Sequence, residues 1–217
     1  MNKILSGLVA VGAIAAFSVL GFSAGAEPDS GVVVSKRMTR EEALARIQKS
    51  GIAPAPGNLV SPVMGGDLEM VEALLVAGAD PNGDTGLPKS VLRLAMGTCA
   101  AKKATLADQL KLVDLLLSHG ALPNEKALSE LSALMVAAQW CSADIVHRLV
   151  KAGADIEFKT SLGQSPLAMA FIMENYGAAE ALIEEGARLS PEGAARLLKD
   201  KEGDAKRVEL LKRAQAK

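Results

Sequence analysis

The sequence predicts an all-α solenoid, a row of stacked helix-turn-helix units closed by a capping helix at each end. Three observations predict it. A helix ending is written four times, as "LVAGADPNGD" at 75, "LSHGALPNEK" at 117, "VKAGADIEFK" at 150 and, more faintly, "IEEGARLSPE" at 183. The glycines of these endings, Gly78, Gly120, Gly153 and Gly186, lie 42, 33 and 33 residues apart. Hydrophobic residues make up 49% of the chain but aromatic ones only 3%, which suits helices packed through small side chains rather than an aromatic β core.

Taken in order, residues 1–26 read as an export signal. Lys3 precedes an uncharged apolar run from Ile4 to Phe22, and Ala24 and Ala26 form an A-x-A cleavage pattern before Glu27. The apolar run approaches the roughly 20 residues that span a bilayer, so an uncleaved membrane anchor is the alternative. The small-residue cleavage pattern favours removal and export to a bacterial periplasm. Residues 27–38 carry no sustained period and read as a flexible tail. Thr39 and Glu42 then form a capping box for a helix with apolar residues at Ala43, Leu44 and Ile47, ended by Gly51 and the Pro54/Pro56 pair. This helix is expected to cover the first unit.

The repeat governs the rest. "LEMVEALLVAG", "LKLVDLLLSHG" and "ADIVHRLVKAG" place apolar residues at i, i+3, i+4 spacing ahead of each glycine. The glycine permits the left-handed residue that closes a helix. A short Ala-rich helix precedes each, with Ala95, Ala137 and Ala170 allowing close approach. No single pair buries its own apolar face, so the units must stack. The last pair, "SPEGAARLLKD" and "GDAKRVELLKRAQ", has charged outer positions suited to a terminal cap.

A period of 33 is that of ankyrin repeats. Twenty-one residues before the glycine, where that family writes T-P-L-H-x-A, stand "SPLAMA" at 165 and "SALMVA" at 132. "GNLVSP" at 57 is weaker, and "SVLRLA" at 90 fits if nine extra residues follow Cys99. Residues 39–217 therefore resemble an ankyrin-repeat domain, with repeats at about 57–86, 87–128, 129–161 and 162–190 and a cap at 191–217. With the leader, the chain is similar to exported (periplasmic) bacterial ankyrin-repeat proteins. The motif His is replaced by Val60, Arg93, Met135 and Ala168, so less regular loops are expected. Pro62 falls inside the first short helix, which should be bent or cut short.

The resemblance also implies a binding groove, lined by the last turn of each first helix and by the loop tips. It assigns the groove positions to Met64 and Gly65, Gly97 and Thr98, Gln139 and Trp140, and Ile172 and Met173, with Leu87, Leu128 and Leu162 at the loop tips. Trp140 is the only Trp of the chain, and an exposed apolar cluster around it would mark an interaction site. The alternative is that Trp140 folds back over a neighbouring repeat.

Chemistry is not indicated. His119 sits at a helix end and His147 on an outward face, neither with a metal-ligand set, and no catalytic triad or Cys/His pair has a supporting motif. Carboxylates such as Glu69, Glu72, Glu184 and Glu185 lie on solvated helix faces. No catalytic residue, metal or cofactor is expected, and a net charge of −1 removes the broad electrostatic case for nucleic acid. Cys99 and Cys141 occupy the same turn of successive repeats, where stacking at roughly 8–10 Å leaves them slightly too far apart for a bond. The insertion 100–108, "AKKATLADQ" with Lys102 and Lys103, starts right after Cys99 and would let that turn shift. A disulfide and two small buried thiols both remain open. The insertion itself reads as a surface-loop extension or a partner contact.

The expected function is binding: a periplasmic ankyrin domain that grips and inhibits a cell-envelope enzyme such as a peptidoglycan hydrolase, in a self-protection role. The alternatives are an accessory protein supporting a redox enzyme such as a catalase, and a general envelope scaffold.

Overall fold

Why the endings repeat is visible in the backbone of the computed structural model, which describes residues 37–101, 104–125, 131–199, 201 and 203–215. Residues 1–26, read above as an export signal, and nearly all of the tail 27–38 lie outside the described residues. At Gly78, Gly120, Gly153 and Gly186 the chain takes φ of 106°, 86°, 90° and 101°, the left-handed region that glycine enters freely. The next residue is Ala each time. The N–H groups of Ala79, Ala121, Ala154 and Ala187 donate to the carbonyls of Leu74, Leu116, Leu149 and Leu182 at 2.8–2.9 Å. These alanines and leucines are all buried. Each ending is therefore a Schellman closure that satisfies a terminal carbonyl and carries its own apolar contact.

Among the described residues the elements are helices throughout: α1 (Arg40–Ser50), a 3-10 turn (Pro56–Leu59), α2 (Val60–Gly65), α3 (Leu68–Ala77), α4 (Val91–Ala101), α5 (Leu106–Ser118), α6 (Ala133–Trp140), α7 (Ala143–Lys151), α8 (Pro166–Ile172), α9 (Tyr176–Glu184), α10 (Pro191–Leu198) and α11 (Ala205–Gln215). They stack in two rows. The first helices pack in the order α2, α4, α6, α8, α10, and the second helices in the order α1, α3, α5, α7, α9, α11. The first row is pressed from three sides, so in α6 every residue from Ala133 to Ala138 is buried. Half of those six are alanines, which let neighbouring helices approach closely, while Leu134, Met135 and Val136 fill the space between them.

Serines start the first helices. Ser90, Ser132, Ser165 and Ser190 accept from the N–H three residues on, at Arg93, Met135, Ala168 and Gly193, at 3.1–3.2 Å. Pro62 sits in the opening turn of α2, where its missing N–H costs little, and that helix runs only six residues behind the 3-10 turn.

The loops are more regular than the missing motif His suggests, because asparagines four residues after the glycine brace them. Asn82 donates to Gly120 O at 2.8 Å and accepts from Leu122 N–H at 2.8 Å. Asn124 repeats the bridge to Gly153 O and Asp155 N–H, both at 2.7 Å. At the next register position stands Glu157, for which no such bridge exists among the described residues.

The insertion is not a loop extension. Ala100 and Ala101 prolong α4, and Thr105 opens α5 with a capping box to Asp108. The result is a taller pair, 11 and 13 residues against 8 and 9 in α6 and α7. Lys102 and Lys103 lie outside the described residues. At the N-terminal end α1 packs on α3, burying Ala43 and Ile47, with an ion pair between Arg46 and Glu69. At the other end α11 packs on α9 and α10 through Leu210, Leu211 and Ala214.

A candidate protein-binding groove

The first-row helices pack side by side, each entered from a loop and ending in a short turn. Met64 lies in the last turn of α2, Trp140 ends α6 and Ile172 ends α8. All three are exposed, Trp140 at 46% of its surface, as are the loop residues Leu87 and Leu162, the latter at 81%. These five account for most of the large apolar side chains that the described residues expose; Leu44, Leu106 and Leu122 are the others. The exposed apolar surface is thus concentrated on the helix-end and loop-tip positions. Leu87 and Leu162 share a register, three residues before Ser90 and Ser165. Thr98, Gln139 and Met173 are half-buried, and the Thr98 hydroxyl is turned back to Ala95 O at 2.7 Å. Leu128 lies outside the described residues.

Trp140 is held through the residues that follow and flank it. The next residue, Cys141, leaves α6 in an extended conformation (φ −93°, ψ 170°) and is joined to Cys99 of α4 by a disulfide, with Cα atoms 5.1 Å apart. The helix-spacing argument against this bond does not apply, because Cys141 has already stepped out of its helix toward α4. Asn175, which caps α9, donates to the carbonyls of Ala138 and Cys141 at 3.2 and 2.9 Å. The α6 terminus is therefore fixed from both neighbours, one covalently.

Two depressions flank Trp140 along the row. One, of about 160 Å³, is lined by Met64, Thr98, Ala101 and Ala104 under the lengthened pair α4–α5. The other, of about 320 Å³, lies between the loop 157–165 and helices α8 and α10, and includes Leu162, Ile172 and Leu197. Leu197 was not anticipated from the sequence. Laying Ser190-Pro191 on Ser165-Pro166 puts Leu197 at the register of Ile172, a signal that the charged composition of the last pair obscures.

No group of three or more His, Cys, Asp or Glu residues able to hold a metal occurs among the described residues. None of their helices is long and apolar enough to cross a membrane. His147 is not a bare surface residue: its Nδ1 lies 2.7 Å from Glu185 and its Nε2 3.6 Å from Glu184, tying α7 to α9. A cluster of polar and charged contacts sits at the turn between α8 and α9. There the Tyr176 hydroxyl donates to Asp204, and burial first, then Asp204, pushes the phenol up to about 12. Arg207, only 4% exposed, lies 5.9 Å from the Phe171 ring centroid and donates to the Phe171 carbonyl at 2.5 Å. These contacts bind the cap to the fourth pair.

A family model of three ankyrin repeats matches residues 59–160 and 99–192. The chain belongs to the ankyrin-repeat family. No curated protein matches it. Ankyrin repeats constitute a protein–protein interaction domain, and proteins built from them are typically binding modules without catalysis of their own.

Proposed function

We propose that this chain is an exported bacterial binding protein that grips a cell-envelope enzyme, a peptidoglycan hydrolase in type, and inhibits it to protect the producing cell. The observation that carries the reading is Trp140, an exposed aromatic anchored by a disulfide and flanked along the row by exposed Met64 and Ile172. A rigid, half-exposed Trp is the side chain most often found at the energetic centre of a protein interface. The mechanism is steric. Trp140 and Ile172 anchor the client, while Leu87, Leu162 and the lengthened α4–α5 pair cover its active-site cleft. The leader-like residues 1–26 and the Cys99–Cys141 disulfide support an oxidising compartment.

Affinity capture from periplasmic extract with wild-type protein and Trp140→Ala tests this. The expected result is one cell-wall hydrolase bound stoichiometrically and inactive in the complex, with Trp140→Ala weaker by about thirtyfold, the loss of a 2 kcal/mol hot spot. Equal capture by both forms, or none, overturns the groove reading. A redox enzyme such as a catalase as the sole partner would replace inhibition with an accessory role. Many weak partners would indicate a scaffold.

A further inference from the structure

The C-terminal stretch of the groove carries a charge pattern that the rest lacks. The 320 Å³ depression between α8 and α10 is lined by apolar Leu162, Ile172 and Leu197 and by three cations, Lys159, Arg188 and Arg196, against one carboxylate, Glu157. The chain as a whole has a net charge of −1, so this surplus is local. In the same half of the molecule Lys201 pairs with Glu174 at 2.9 Å, and Arg213 and Lys206 pair with Glu180 at 2.6 and 3.4 Å. Lys159 and Arg196 are exposed and have no such partner among the described residues. Arg188 is held in place by the carbonyls of Ile183 and Ala187 at 3.0 and 2.8 Å.

We propose that this depression receives an extended segment of the partner protein in which an apolar side chain is flanked by carboxylates. The proposal rests on the groove reading above and adds the chemistry of the bound segment. The volume admits one or two side chains, not a helix. An apolar side chain there leaves water against Ile172, Leu197 and Leu162. Flanking carboxylates meet Lys159 and Arg196, neither of which is in an ion pair among the described residues. Such pairing supplies selectivity and a faster encounter more than raw affinity.

The test uses the full chain and short fluorescent synthetic peptides, read by anisotropy. The peptides have a central Leu flanked by Asp/Glu, by Lys or by Ser, and a fourth has Asp/Glu around a central Ser. The acidic Leu peptide is expected to bind at least about tenfold more tightly than the other three, and to weaken as salt is raised. The double variant Lys159→Glu/Arg196→Glu, which changes exposed side chains only, is expected to reverse the preference toward the Lys-flanked peptide. Equal binding of acidic and uncharged peptides, a preference that survives the charge reversal, or no binding to any peptide overturns the proposal. A chain that loses its captured partner through Trp140→Ala yet does not discriminate these peptides keeps the groove reading and defeats only this one.

Discussion

At the scale of single residues, Glu174 shows how this chain balances backbone strain against charge. It is the one non-glycine among the described residues with positive φ, 58°, while Gly66 fills the matching turn of the first pair at φ 75°. A side chain in this region costs about 1–2 kcal/mol. Glu174 offsets the cost by accepting from Lys201 at 2.9 Å and lying 3.9 Å from Arg207. Replacement by Ala keeps the strain and loses the pairs; replacement by Gly loses the pairs but relieves the strain. Chemical denaturation should therefore find Glu174→Gly more stable than Glu174→Ala by about 1 kcal/mol, even after glycine's larger unfolded-state entropy. Equal stability of the two would show that the turn carries no strain.

At the scale of elements, the inter-loop asparagines set the spacing of neighbouring pairs. Asn124 makes two bridging hydrogen bonds, so Asn124→Ala should cost about 1–2 kcal/mol. Glu157 occupies the same register one pair later without a bridge, and Glu157→Asn should raise stability by up to about 1 kcal/mol. Thermal unfolding of the two variants checks both signs. Neither bridge was legible in the sequence, because the partners lie 29–40 residues downstream and only the folded register brings them together. The Gly-Ala endings and the capping box at Thr39 were legible because their hydrogen bonds close within five residues. The groove was half legible. Trp140, Ile172, Met64, Leu87 and Leu162 follow from the repeat register, whereas Leu197 and Arg196 escaped because the last pair was read from its charge alone, and Lys159 because its loop was read only at the tip residue Leu162. The insertion escaped for the opposite reason: an expectation of a loop outweighed the local Ala run and the Thr105–Asp108 cap.

At the scale of the whole array, stability is close to a sum of pairs and their interfaces, so it need not be lost evenly. The C-terminal cap is the acid-sensitive end. Lys201 holds the Glu174 carboxyl below its usual range, Arg213 does the same for Glu180, and the Tyr176 hydroxyl does so for Asp204. Carboxylates with lowered values stabilise the fold above their unfolded-state values of 4.5, 4.5 and 3.8, and that contribution is lost as pH falls through the folded ones. Glu125 has the opposite sign, because burial first and Asp80 second raise its value, so acid does not weaken the fold there. Hydrogen exchange between about pH 5 and 3 should show α10 and α11 losing protection before α5 and α6. Simultaneous loss across all pairs would contradict this assignment.

The link between Cys99 and Cys141 has one more consequence for a chain tugged from its two ends. Fraying that starts at either terminus meets a covalent stop in the middle. The segment between the two cysteines, which lie 42 positions apart, would reach about 140 Å if drawn straight and cannot be let out as slack. The edge that carries Trp140 therefore stays looped to its neighbour even when the flanking helices have been peeled away.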